Sequence, residues 1–178
     1  MKNLRICHAL IGILVCLCFS TFSGCKKSSD SQLIPSGTLL RATDCKQSVA
    51  RTGDAGAAIA AESQEDCLEY RYNGTDTLAL SHINAGFNCC PGEIDADISF
   101  EGNIITITER ESTAGCHCLC LYDLDYQIAN LEPGEYTIRV IEPYISQTDQ
   151  ELEFTVTLSS ITSGSFCQTR NSYPWVVD

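Results

Sequence analysis

The chain has 178 residues, of which 44% are hydrophobic and 19% are charged, and its formal net charge is −12. This length fits one domain core, and the composition excludes both a disordered tract and a multi-span membrane protein. The acidic charge also argues against a nucleic-acid partner, because binding to a phosphate backbone requires a basic surface.

The first 24 residues have the pattern of a secretory signal peptide. Lys2 and Arg5 precede an apolar run over residues 9–19, which is the order of a basic n-region and an h-region. The run is about half as long as the roughly 20 residues that a bilayer span requires. We therefore expect residues 1–24 to be removed on export.

The end of this segment, Phe22-Ser23-Gly24-Cys25, resembles the lipobox of bacterial lipoprotein precursors. The resemblance covers only the first 25 residues. It implies that Cys25 is lipidated, that acyl chains attach the protein to a membrane, and that the protein lies in the bacterial cell envelope, with the outer membrane as the expected location. The alternative is an ordinary signal peptide that happens to be cut near a cysteine.

The remaining cysteines indicate a disulfide framework. Of the 12 cysteines, three lie in the signal segment and Cys25 is the proposed lipid site, which leaves an even number. In an exported chain this pattern predicts up to four bridges, although eight cysteines allow 105 pairings. The candidates are Cys45, Cys67, Cys89, Cys90, Cys116, Cys118, Cys120 and Cys167.

The sequence divides into a tether and loosely structured arm over 25–65, a strand-rich domain over 66–160 and a C-terminal tail over 161–178. From Asp66 onward, apolar residues recur with a period of two, which is typical of strands. Short strands separated by turn signals predict an all-β, immunoglobulin-like antiparallel β-sandwich of about seven strands. The predicted strands are 67–72, 76–86, 94–100, 103–110, 118–129, 135–142 and 151–158.

The segment from Leu131 to Tyr136 adds a more specific signal. With Pro133-Gly134 before the tyrosine, it resembles the tyrosine corner of immunoglobulin-like and fibronectin type III domains. The resemblance implies that the Tyr136 hydroxyl bonds a backbone group a few residues upstream. An ordinary turn followed by a core tyrosine is the alternative, and a jelly roll or small barrel remains an alternative fold.

Most of the cysteines are predicted to meet at one end of the sandwich. If the first and fifth strands both run antiparallel to the second, then Cys67, Cys89, Cys90, Cys116, Cys118 and Cys120 converge there. Cys167 follows the last predicted strand and is expected at the other end, within reach of Cys45. We favour structural disulfides, with the adjacent Cys89 and Cys90 bonded to separate partners.

A soft-metal site is the alternative for this end, with zinc or copper(I) as the ion. Its candidate ligands are His82, Cys89, Cys90, Cys116, His117, Cys118 and Cys120. The Cys-x-Cys-x-Cys spacing departs from the usual Cys-x2-4-Cys of zinc sites. His82 lies on the same strand face as Leu78 and Leu80, so we expect His82 to be a hydrogen-bonded core residue.

No catalytic motif was found. Gly-x-Ser-x-Gly, phosphate-loop and metalloprotease patterns do not occur in the sequence. We therefore expect a non-catalytic structural or binding module without a cofactor, whose partner is an envelope protein or a glycan. A glycan hydrolase is the enzymatic alternative, and it would need two facing carboxylates in a cleft.

Overall fold

The computed structural model describes residues 33–46, 65–116, 118–145 and 148–170, and these ranges form strands without any helix. Within them there are nine strands: β1 (Ser36–Ala42), β2 (Glu65–Asn73), β3 (Leu78–Asn88), β4 (Ile94–Glu101), β5 (Ile104–Glu111), β6 (Leu119–Ala129), β7 (Gly134–Ile141), β8 (Leu152–Leu158) and β9 (Ile161–Thr169). The signal segment, Cys25 and residues 47–64 lie outside the described residues.

The strands form two sheets, which confirms the predicted all-β sandwich. The first sheet has five described strands in the order β1-β6-β3-β2-β9, and the second has four in the order β4-β5-β7-β8. In the first sheet β2 and β6 both pair antiparallel with β3, as expected. The end of β3 therefore meets the starts of β2 and β6.

The period-two pattern places the core between the sheets. Leu78 and Leu80 of β3 are at most 1% exposed, as are Ile105 and Ile107 of β5 in the facing sheet. Burial of each such side chain stabilises the fold by about 1.5–3 kcal/mol relative to exposure. The inward residues of β6 and β7 are Tyr122, Leu124, Tyr126, Ile128, Ile138 and Val140.

All seven predicted strands are present, and the structure adds two edge strands that the pattern did not predict. β1 pairs with β6, and β9 pairs with β2 along its whole length. β9 is rich in Ser, Thr and Gly, and most of its residues are exposed. Backbone pairing at a sheet edge does not require an apolar alternation, so these strands had no period-two signal.

The expectation that the strands are all antiparallel was wrong for one pair. β5 and β7 are parallel, with Ile105 beside Ile138 and Ile107 beside Val140. The strand between them in the chain, β6, belongs to the other sheet. The chain thus crosses the sandwich twice between β5 and β7, and two reversals restore its direction.

Two tyrosine hydroxyls form hydrogen bonds with the turns at one end of the sandwich, opposite the end at which β3 finishes. The Tyr136 hydroxyl donates to the Glu132 carbonyl at 2.8 Å, so the hydrogen bond expected from the tyrosine corner is present. Tyr72 donates to the carbonyls of Thr75 and Leu131 at 2.6 and 3.0 Å. Gly74, with φ of +85°, provides the left-handed turn between β2 and β3.

Candidate functional site

Four disulfides connect the eight cysteines between Cys45 and Cys167, all of which lie in the described ranges. The pairs are Cys45–Cys120, Cys67–Cys167, Cys89–Cys118 and Cys90–Cys116, with Cα–Cα distances of 5.5, 4.0, 5.6 and 5.5 Å. The adjacent Cys89 and Cys90 do reach separate partners, as predicted. We call the end of the sandwich that contains these bridges the disulfide end.

The predicted position of Cys167 was wrong. β8 ends at the opposite end of the sandwich, but β9 then returns antiparallel to β2 and places Cys167 directly beside Cys67. Cys45 consequently bonds Cys120 instead, and Lys46 forms a β-bridge with Leu121. The missed edge strand is the reason for this error, since without β9 the chain would finish near the other end.

Asn88 holds the loops of the disulfide end together, and sequence reasoning missed it. Its Oδ1 accepts hydrogen bonds from the backbone N–H groups of Cys90 and Cys116 at 2.8 and 3.1 Å. Its Nδ2 donates to the Cys116 carbonyl, and its own carbonyl accepts from Tyr122 at 2.9 Å. Asn88 is 4% exposed, so one buried side chain positions both loops that carry the 90–116 bridge.

A second pair of side chains supports the same region. The Asn88 N–H donates to Glu111 at 2.9 Å, and the Tyr144 hydroxyl donates to the other Glu111 oxygen at 2.5 Å. That hydrogen bond, aided by burial and the charge of Glu111, raises the pKa of Tyr144 to about 12. Tyr144 therefore stays a hydrogen-bond donor at any physiological pH.

A surface cleft of about 460 Å³ opens at the disulfide end. It is lined by the segment after β1, by the loop between β3 and β4, and by Tyr122, with Asp44, Cys45, Cys89, Pro91 and Ile94 among its residues. A second groove, of about 490 Å³, crosses the outer face of the first sheet between Glu69, Arg71 and Ser163. Each lining includes a single carboxylate, Asp44 or Glu69, whereas glycan hydrolysis uses a facing pair.

The candidate soft-metal ligands are not brought together as free groups. All five of the candidate cysteines are in disulfides, and zinc or copper(I) is bound by thiolates rather than by disulfide sulfurs. His82 is fully buried and hydrogen-bonded in the core, as expected. His117 lies outside the described residues.

Beneath the disulfide end, five charged or titratable side chains and a tyrosine meet in the interior. We call this group the charged cluster; its members are Asp66 from β2, His82 from β3, Glu109 from β5, Tyr126 from β6, Glu142 after β7 and Arg170 after β9. Each is at most 5% exposed. The cluster therefore joins four strands, from both sheets, to the residues that directly follow β7 and β9.

His82 is at the centre of the charged cluster. Its Nε2 lies 2.6 Å from Asp66 Oδ1 and its Nδ1 lies 2.6 Å from Glu109 Oε1. The Tyr126 hydroxyl donates to the same Glu109 oxygen at 2.5 Å. Both nitrogens of the imidazole are thus hydrogen-bonded to carboxylates in the buried interior.

Arg170 completes the cluster from the other side. Its Nε donates to Asp66 Oδ2 at 2.8 Å, and its Nη2 donates to Glu142 Oε2 at 2.7 Å. Nη1 donates to the carbonyl of Gln150. One guanidinium therefore links the start of β2 with the end of β7 and with the segment before β8.

These contacts shift the pKa values of the cluster in opposite directions. Burial acts to lower the pKa of His82, but Glu109 and Asp66 outweigh it, so that pKa lies well above its usual value. Burial acts to raise the pKa of Asp66, but His82 and Arg170 lower it overall. Burial, with Asp66 and Glu109 nearby, raises the pKa of Glu142 to about 8.

The sequence contained a signal for most of this cluster. Asp66, Glu109 and Glu142 each extend an inward-facing, period-two run by one step, beside Leu68, Ile107 and Val140 respectively. A charged residue at a core position is unusual unless it is paired. The partner Arg170 had no such signal, because it follows an edge strand that was not predicted.

Comparisons with protein-family models, with curated protein sequences and with solved structures found no match to this chain. Within the described residues, no helix has the length and apolar character needed to cross a bilayer.

Proposed function

We propose that this protein is an exported, lipid-anchored module of the bacterial cell envelope, with a structural or ligand-binding role and no catalytic one. The observation that supports this proposal best is the complete pairing of the eight cysteines from Cys45 to Cys167. Disulfides form and persist in oxidising compartments such as the periplasm and the cell surface. The lipobox-like segment ending at Cys25 supplies the anchor.

The spacing of the bridges fits a module that must persist outside the cytoplasm. They join residues 26, 29, 75 and 100 positions apart, and so close both short and long loops. A bridge of this kind stabilises the fold by about 3–5 kcal/mol in the chain-entropy description. Three of the four bridges are at the loops that frame the cleft at the disulfide end, so this surface has a fixed shape.

Mass spectrometry of the membrane fraction under non-reducing conditions tests the proposal. We expect an N-terminal peptide that starts at an acylated Cys25, together with the four cross-linked peptide pairs. A Cys25→Ser variant should lose membrane attachment while keeping all four bridges, because Cys25 is not among the paired cysteines. A mature chain without an acyl group, or free thiols in native material, would contradict the proposal.

The cleft at the disulfide end is the recognition surface we propose. Its lining combines exposed polar groups, such as Asp44, with apolar ones, such as Ile94 and Pro91. Such a mixture provides both orientation and contact area for a ligand. Bridges at Cys45 and Cys89 prevent the walls from collapsing.

A titration with soluble peptidoglycan fragments, followed by NMR of backbone amides, tests this surface with a glycan probe. We expect shifts confined to the cleft, weakened by Asp44→Lys. Glu101→Lys is the matched control, because it reverses an exposed carboxylate at the far end of the β4–β5 hairpin. Shifts centred on the groove near Arg71, or equal effects of the two variants, would rule out the cleft as the recognition site.

A further inference from the structure

The charged cluster has an unusual deficit of hydrogen-bond donors. Within the described residues, Glu109 Oε2 and Glu142 Oε1 are buried and have no hydrogen-bond partner. Buried carboxylate oxygens normally have a partner, because the loss of water is otherwise uncompensated. The second Glu142 oxygen is held by Arg170, and one carboxylate oxygen of Glu142 lies within 4.8 Å of ligand atoms of both Asp66 and His82.

We propose that the charged cluster binds one divalent transition-metal ion, of which zinc is the best probe, through His82, Asp66 and Glu142. One ligand atom from each residue lies within 4.8 Å of the other two, and all three residues are buried. This site is distinct from the cysteine-rich one that the sequence suggested, and it uses only nitrogen and oxygen ligands.

The donor distances suit a small ion after a modest adjustment. Zinc binds His nitrogen and carboxylate oxygen at about 2.0–2.2 Å, so two ligands on one ion lie about 3–4 Å apart. His82 Nε2 and Asp66 Oδ1 are 2.6 Å apart around a shared proton. Replacement of that proton by the ion requires the two groups to separate by about 1 Å.

The surrounding hydrogen bonds already orient the ligands. Glu109 accepts from His82 Nδ1, which directs the Nε2 lone pair toward Asp66, and Tyr126 holds Glu109 in place. Arg170 bonds Asp66 Oδ2 and Glu142 Oε2, leaving Asp66 Oδ1 on the His82 side. Metal sites depend on outer groups of this kind for ligand orientation and affinity.

The charges also balance when an ion is present. A divalent ion and Arg170 carry three positive charges, and the carboxylates of Asp66, Glu109 and Glu142 carry three negative ones, with His82 neutral. Mixed imidazole and carboxylate ligands suit zinc or manganese better than calcium, which prefers six to eight oxygens. A site buried at this depth would be structural, joining β2 and β3 to the end of β7.

Metal analysis of the oxidised mature protein, without residues 1–24, tests the proposal. After treatment with EDTA, addition of zinc and desalting, we expect one zinc per chain and a higher melting temperature. X-ray absorption should show nitrogen and oxygen scatterers only. Glu142→Gln, which is nearly isosteric, should weaken zinc binding at least tenfold, and His82→Gln should abolish it.

Tyr72→Phe is the control for a loss of stability alone. It removes the buried hydrogen bonds of Tyr72 to the carbonyls of Thr75 and Leu131, at the opposite end of the sandwich from the proposed ligands, so we expect it to retain one zinc. Absence of bound zinc, sulfur scatterers at the metal, or unchanged affinity in Glu142→Gln would each overturn the proposal. None of these outcomes affects the proposed envelope function, which is tested by the acyl group and the bridges.

Discussion

The disulfide end and the charged cluster join the same strands by different chemistry. Cys67 and Cys167 connect β2 to β9 across 100 residues, and Asp66 connects β2 across 104 residues to Arg170, which directly follows β9. Cys167 is exposed, whereas Arg170 is 1% exposed. The bridge persists only under oxidising conditions, whereas the ion pair is buried away from water.

This difference separates what each region contributes. A disulfide restricts the unfolded chain and is unaffected by salt or by moderate changes of pH. A buried charge network contributes only while every partner is present, because removal of one leaves an uncompensated charge. The disulfide end should therefore set the size of the free energy of unfolding. The charged cluster should set how that free energy changes with mutation and pH.

Reduction of the four bridges should have the largest effect. At about 3–5 kcal/mol each, their combined contribution is comparable with the whole stability of a typical domain, about 5–15 kcal/mol. We expect dithiothreitol to abolish the cooperative thermal transition measured by near-ultraviolet circular dichroism. Oxidised dithiothreitol is the control, and a reduced protein that keeps its melting temperature would show that the strands alone suffice.

Arg170→Met should have the next largest effect. It removes the guanidinium that bonds both Asp66 and Glu142 in the interior, a loss that costs about 3–5 kcal/mol. Arg41→Met is the matched control, since the side chain of Arg41 is 66% exposed and pairs with Asp125 at the surface. Such pairs contribute about 0–1 kcal/mol. Equal losses of unfolding free energy in the two variants, measured by urea denaturation, would show that the buried ion pairs of Arg170 contribute no more than an exposed one.

Asn88→Ala should lower the free energy of unfolding by less than Arg170→Met does, and its effect should be at the disulfide end. The backbone N–H groups of Cys90 and Cys116 lose their acceptor, and an unsatisfied buried group costs about 1–3 kcal/mol. The control is Asn103→Ala, which removes an exposed hydrogen bond to the Glu135 carbonyl. Faster reduction of the 90–116 bridge in Asn88→Ala, measured by thiol alkylation, would locate the effect.

The pH dependence of the metal-free protein, kept in EDTA, should be the smallest effect. The raised pKa values of Glu142, about 8, and of His82 mean that the folded state holds protons that the unfolded state releases. Their contribution is complete below the unfolded pKa values and is lost as pH rises through the folded ones. We expect the melting temperature to fall by several degrees between pH 5.5 and 9.

Glu142→Gln tests the assignment of this slope. Glutamine cannot lose a proton, so the fall in stability toward pH 8 should become shallower in the variant. Asp66 has the opposite behaviour, since its lowered pKa adds stability that is lost only as pH falls toward and below 3.8. A variant with the same slope as the parent protein would show that Glu142 is not the group that titrates.

How far the candidate site could be predicted depended on the kind of signal each residue carried. The oxidised cysteines and the separate partners of Cys89 and Cys90 followed from cysteine number and from strand geometry. Asp66, Glu109 and Glu142 occupy inward-facing positions that the alternating pattern predicts. The pattern does not predict that these three residues lie next to one another, because they are on strands far apart in the sequence. No periodic pattern predicts the role of Asn88, because its partners are backbone groups of two loops that become neighbours only in the folded chain.

By itself, the sequence determined the interior strands, their inward faces and the disulfide chemistry, because period-two burial and thiol oxidation are local properties. Only the tertiary structure decided that β9 returns beside β2, that β5 and β7 are parallel, and that Arg170 meets Asp66. These features depend on backbone pairing between distant segments, which is insensitive to side-chain pattern. For the same reason neither edge strand was predicted, and Arg170, which follows β9, was missed together with that strand.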